Sequence, residues 1–255
     1  MKYINLSLLC LNLAIFLTIP SINSKLLVLI ISSDYCPIDE CFIYKELQKV
    51  WRLYMHYGTK NVESYFIKGN INLGKTALVK EDIIWSKTDE GWSPVSAGIL
   101  NKTILSLEYL ESRLNEFDFV LRTNLSSFYV FPKLLEYLKV LPKQGCYCGS
   151  GDGFASGCGF IMSSDVAGFL VKNKAKLIDQ KHSPDDVIIG QFLTKYFKFI
   201  NHPRLDILNS KSFTLSNLDH RIFQFRIKNN IHKLRISEDL EIYKILLAKF
   251  YNILV

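Results

Sequence analysis

Residues 25–32 (KLLVLIIS) form an unbroken apolar run, β-branched at Val28, Ile30 and Ile31. Such a run predicts a strand covered on both faces, as in a parallel sheet. Ser33, Asp34 and Pro37 end it. Ile43, Leu47, Val50 and Tyr54 then recur at helical spacing, which predicts a helix over about 38–56. Residues 64–68 (SYFIK), 82–85 (DIIW) and 117–122 (FDFVLR) read as further strands. Ala97, Leu100, Ile104, Leu107 and Leu114 mark a second helix, and Pro132 opens a third that runs to about Val140. Strand and helix alternate through this half, the pattern of an α/β nucleotide-binding sheet. Ligands of such sheets bind beyond the carboxyl ends of the strands, which places Asp34 and residues 122–127 there.

The second half is less regular. A glycine-rich stretch covers 145–159, helices are expected over 164–172 and from Ser183, and Leu240, Tyr243, Leu247, Phe250 and Leu254 give a closing amphipathic helix. No repeat or linker divides 25–255, so one α/β domain is expected, its mostly parallel central sheet flanked by helices.

Residues 1–24 begin with Lys2, continue through an apolar run from Leu6 to Ile19, and end in Pro20, Ser21 and Ser24. This is the layout of a signal peptide. A membrane anchor and an apolar element packed on the domain are the alternatives. The expected location is the lumen of the secretory pathway or its membrane, with the cytoplasm left open. Six cysteines do not settle the compartment. Cys36–Cys41 approaches a zinc knuckle, whereas Cys146-Tyr147-Cys148 does not, so buried thiols are the simplest reading and disulfides the next. The net charge of +7 is spread out, with no arginine-rich helix and no long run of like charge. That argues against nucleic acid as a partner.

Residues 69–76 (GNINLGKT) match the phosphate-cradling pattern G-x(4)-G-K-[ST]. A phosphate loop must open a helix, and only about six residues separate Thr76 from the next expected strand. A surface turn is therefore expected, with a P-loop NTPase or kinase as the weakest functional alternative.

Three segments carry a family resemblance. Leu121-Arg122-Thr123-Asn124-Leu125-Ser126-Ser127-Phe128 is followed by a proline and a helix. Ser156-Gly157-Cys158-Gly159-Phe160-Ile161-Met162-Ser163-Ser164-Asp165 lies downstream, and then comes Pro184-Asp185-Asp186-Val187-Ile188-Ile189-Gly190. In this order they resemble β1,3-galactosyltransferase and fringe-type glycosyltransferases of the GT-A fold. They are most similar to small glycosyltransferase-like proteins, viral ones included, with an R-T-N-L-S-S-F strand. The resemblance implies a GT-A-like sheet and inverting transfer from a nucleotide-sugar donor, UDP-linked, to a glycan or glycoprotein hydroxyl. It implies Asp186 as the base, with Asp185 as its alternative, and donor contacts from Asp34, Lys102, Arg122, Asn124, Ser126, Gly157 and Gly159. The family's metal-binding carboxylates are replaced here by Asn124 and Ser126. Neutral oxygens hold Mn²⁺ or Mg²⁺ weakly, so weak or absent metal dependence is expected, with Arg122 and Lys102 as substitute cations. His220 lies near the place of the family's histidine ligand, and Gln224 stands where that histidine is expected.

Simpler readings compete at each position. Ser183, Pro184 and two acids make a favourable helix start with no catalytic role. Asp34 suits an Asx-turn, and Arg122 an ordinary ion pair. Loss of the acidic ligands favours a non-catalytic homologue that binds a sugar nucleotide or glycan.

Overall fold

The computed structural model describes residues 24–34, 41–57, 60–91, 96–215, 218–229 and 235–255. The expected signal segment lies outside these residues except for Ser24. Cys10 and Cys36 also lie outside them.

The apolar run at the start is strand β1 (Leu26–Ile31), at the centre of an eight-stranded sheet. Its neighbours are β2 (Val62–Gly69) and β5 (Phe119–Asn124), both parallel to it. Outside β2 come β4 (Ile83–Ser86), also parallel, and β3 (Ala77–Lys80), which is antiparallel. On the other side β8 (Gly159–Ser163) runs against β5. β7 (Tyr147–Gly149) runs against β8, and β9 (Phe199–Asn201) lies parallel to β7 at the edge. Only β3 and β8 therefore oppose the common direction. A small second sheet joins β10 (Leu205–Ile207), β11 (Gln224–Ile227) and β6 (Ser127–Tyr129).

Alternation along β1 divides the core in two. Leu26, Val28 and Ile30 point to one face, where they join Leu47 and Trp51 of α1 (Cys41–Arg52), Leu134 of α3 (Phe131–Leu138), and Tyr243 and Leu246 of α6 (Arg235–Tyr251). Leu27 and Leu29 point to the other. There they meet Leu100 and Ile104 of α2 (Gly98–Tyr109), Val166 of α4 (Ser164–Lys172) and Ile189 of α5 (Asp185–Leu193). Each of these β1 residues has no exposed surface, so each contributes about 1.5–3 kcal/mol of burial. The run is apolar throughout because both of its faces are covered.

The strands and helices expected in the first half form at nearly the expected places. The second expected helix ends at Tyr109 and continues as a 3₁₀ segment, Glu111–Glu116. The short strands of the second half had no counterpart in the sequence reading. After Gly69 ends β2, residues 70–76 form a turn that leads directly into β3, so no helix follows Thr76. No helix among the described residues is long and apolar enough to cross a membrane.

Candidate functional site

Strand β5 ends in a tightly held turn. Asn124 Oδ1 accepts from the Ser126 N–H at 3.1 Å and from Ser126 Oγ at 3.0 Å, and Ser127 Oγ lies 3.2 Å from it. The Leu125 carbonyl between them accepts from Trp51 Nε1 and from the Tyr243 hydroxyl. The Ser126 carbonyl accepts from the Ile227 N–H at 2.7 Å. Three elements, α1, α6 and β11, thus hold the turn at two successive carbonyls. The sequence favours this locally, since an asparagine oxygen readily takes the N–H two residues on.

The glycine-rich segment lies against this turn. The Gly157 carbonyl accepts from Arg122 Nη1 at 2.7 Å and from Asn124 Nδ2 at 3.0 Å. The Gly157 N–H donates to Asp186 Oδ2 at 2.6 Å. The Cys158 carbonyl accepts from Thr123 Oγ1 and Ser127 Oγ. The three segments that carry the resemblance therefore meet at Gly157.

The two acids differ. Asp185 is buried and pairs with the buried Arg122. Burial pushes its carboxyl above the usual value, and Arg122 opposes that. Asp186 is half-buried and holds the glycine loop. The helix starts one residue later than expected: Pro184, not Ser183, is the N-cap residue, and no side chain caps it.

The expected donor cations are committed to protein groups. Lys102 is buried, and its ammonium donates to the Ser32 carbonyl at 2.7 Å, the Glu90 carbonyl at 2.8 Å and Glu90 Oε2 at 3.0 Å. Burial pulls this ammonium below its usual value while the Glu90 charge raises it. Asp34 is partly exposed and takes Lys68 Nζ at 2.6 Å, which also donates to Gln48. Asp34 is thus an ion-pair partner at the end of β1, a position from which it still faces solvent. Lys68 and Glu90 drew no attention in the sequence, because a lone lysine or glutamate carries no spacing signal.

The donor set does not suit a divalent cation. Asn124 Oδ1 already accepts from both the N–H and the hydroxyl of Ser126, and Arg122 lies beside the Gly157 carbonyl that Asn124 Nδ2 also reaches. Hard cations need several free oxygens, preferably charged. Among the described residues, no group of three or more His, Cys, Asp or Glu side chains is placed to hold a metal ion. His220 is exposed, 3.7 Å from Asp219.

Gln224 is the residue that comes to the β5 end. It pairs with Tyr129 across β11 and β6, and it is fully buried. A Cβ added at Gly159 would stand 1.9 Å from Tyr129 Oη, and 3.2 Å from both Gln224 Nε2 and Thr123 Oγ1. Neither amide atom of Gln224, nor the Tyr129 hydroxyl, has a hydrogen-bond partner among the described residues.

A cleft of about 500 Å³ lies beyond β7 and β9, lined by Ser150, Gly151, Asn201, His202, Pro203 and Arg204. No sequence motif marks it. The polar run 201–204 after an apolar segment was its only trace. No family model matches this chain, and no curated protein matches it either.

Proposed function

We propose that this chain is a glycosyltransferase of GT-A-like organisation that uses a UDP-linked sugar donor and inverts the anomeric centre. One observation carries the reading: the strand-end turn, the glycine segment and the acidic helix start meet at the Gly157 peptide. The α/β class with a mostly parallel sheet supports it.

In the proposed reaction the acceptor hydroxyl oxygen attacks the anomeric carbon as its proton passes to Asp186 Oδ1. The bond from that carbon to the diphosphate breaks, and the nucleotide leaves with the electron pair. Asp186 Oδ2 stays bonded to the Gly157 N–H, which fixes the carboxylate's orientation. No step runs through a metal ion. A partly exposed Asp34 at the end of β1 is the proposed contact to the donor's nucleoside, and the acceptor is a glycan or glycoprotein.

A specific observation favours a second reading, a homologue that binds a sugar nucleotide or glycan without transfer. Arg122 and Lys102 are both neutralised inside the protein, which leaves neither free for a diphosphate. One experiment separates the readings: thermal shift with UDP, UDP-sugars and ATP, with and without Mn²⁺, followed by transfer assays on any donor that stabilises the fold. Stabilisation with turnover supports the transferase. Stabilisation without turnover supports the second reading, and no response to any sugar nucleotide removes the transferase and leaves of the second reading only its glycan-binding form.

A further inference from the structure

A second groove, of about 330 Å³, lies between α5 and the 3₁₀ turn Lys174–Lys176. Its floor is apolar: Leu177 and Ile188 line it and are buried. One wall is aromatic. Tyr196 stands 5.0 Å from Phe169 and 5.5 Å from Phe192, ring centre to ring centre, yet is 56% exposed. Its ring is held by two neighbours and still offers a face to solvent.

The rim is cationic. Lys176, His182 and Lys195 line the groove and are exposed, and none has a carboxylate partner among the described residues. The acids of this stretch are engaged elsewhere. Asp179 takes the Asn101 amide at 2.9 Å, Asp185 pairs with Arg122, and Asp186 takes the Gly157 N–H. Lys174 differs from its neighbours, being neutralised by Glu108. Lys176 has only a neutral partner, Asn173 Oδ1 at 3.1 Å. No carboxylate lines the groove. Two amides, Gln180 and Gln191, complete it; Gln180 Nε2 donates to the Lys176 carbonyl, and its oxygen has no hydrogen-bond donor among the described residues.

We propose that this groove binds an acidic saccharide, a sugar ring carrying a carboxylate or a sulfate. Each lining chemistry has a counterpart in that ligand. An open aromatic face suits the C–H face of a sugar ring, side-chain amides bond its hydroxyls, and unpaired ammonium groups take its charge. The size lies at the small end of ligand sites, about 300–1,000 Å³. That volume admits one or two sugar rings. The groove is separate from the candidate catalytic position. At about 100° per residue, Ile188 and Gln191 fall on the side of α5 opposite Asp186, and Lys195 follows in the turn after the helix. The inference therefore stands whether or not the chain transfers sugar.

The test is titration of the full chain with a sulfated heparin disaccharide, a glucuronate disaccharide, lactose and a tetraglutamate peptide, at low and at physiological salt. The expected result is saturable binding of at least one acidic disaccharide, about tenfold tighter than lactose and weakened by salt. Lys195→Glu and Tyr196→Ala should each weaken it about fivefold or more; Lys195→Glu leaves the melting temperature unchanged, and Tyr196→Ala lowers it by a few degrees through the lost contacts with Phe169 and Phe192. Absence of acidic-sugar binding overturns the inference, as does binding indifferent to both substitutions. Equal affinity for lactose, or tighter binding of tetraglutamate, overturns it too.

Discussion

Asp186 and Gly157 are joined by a 2.6 Å hydrogen bond from the glycine N–H to the carboxylate, while the Gly157 carbonyl is held by Arg122 and Asn124. Both ends of one residue are thereby fixed, and the acid is set relative to the end of β5. The bond uses one carboxylate oxygen. Asparagine in place of Asp186 retains an oxygen acceptor for the Gly157 N–H. Asp186→Asn should therefore melt within a few degrees of the parent while transfer falls by roughly 10²–10⁴. Turnover per folded molecule, measured beside the melting curve, checks this. Full turnover in the variant would remove the base assignment.

The neighbouring acid should behave in the opposite way. Asp185 and Arg122 form a buried pair, and removal of one partner leaves an uncompensated charge. Asp185→Ala is expected to cost about 3–5 kcal/mol of stability. Replacing both, as Arg122→Met with Asp185→Leu, should cost less than Asp185→Ala alone. Urea unfolding of the three proteins decides it. A double variant less stable than the single one would show that Arg122 matters mainly through its bond to the Gly157 carbonyl.

Much of the fold is legible because β1 and β5 are apolar on both faces and the helices of the first half keep a 3.6-residue rhythm. Strands of three residues such as β9 and β10 carry no such period, and their pairing is set by tertiary contact. The site was legible as three separate segments but not as one place. Arg122 illustrates the reason: a strand-end cation reads alike in sequence whether it meets a ligand or a carboxylate 63 residues away. Lys102 likewise meets Glu90, 12 residues before it, with no spacing rule to announce it.

Gly159 has φ +155°, and a Cβ there would overlap the Tyr129 hydroxyl at 1.9 Å. Gly159→Ala should cost roughly 3–5 kcal/mol, combining backbone strain with overpacking. Tyr129→Phe removes a buried hydroxyl that has no partner among the described residues, so it should be close to neutral. In the Tyr129→Phe background, Gly159→Ala should recover about 0.5–3 kcal/mol of the loss. Additive effects in the double-mutant cycle would refute the overlap as the cause.

Cys146 and Cys148 are free and buried, and burial pushes their thiols up to about 12 and about 11. Only thiolate reacts with alkylating agents. Iodoacetamide at pH 8 should modify both in urea and neither in the native protein, as read by peptide mass. Rapid native labelling of Cys148 would show that its environment opens readily.

His202 links stability to pH. Its ring is buried beside Tyr137 and Phe223, 6.0 Å and 4.7 Å away between ring centres. Nδ1 lies 3.2 Å from the Pro203 carbonyl, which fits a neutral ring with Nδ1 protonated. Burial lowers its pKa from 6.5 to about 4; the Pro203 carbonyl opposes this and the Arg204 charge adds to it. Between those values the unfolded chain binds a proton that the folded chain does not, so stability rises with pH across that window. The contribution is complete above about pH 6.5 and is lost as pH falls toward 4, with an upper bound of roughly 3 kcal/mol. Carboxylates also titrate in this window, so the wild-type curve alone does not isolate the histidine. His202→Phe keeps an aromatic ring against Phe223 and removes the titration. Loss of the Pro203 bond should lower its stability by about 1 kcal/mol at every pH, because that term involves no proton uptake. The stability curve of His202→Phe should thus lie below the wild type at pH 7 and cross above it before pH 4. Parallel curves from pH 7 to pH 4 would mean that the His202 ring takes up its proton equally well folded and unfolded.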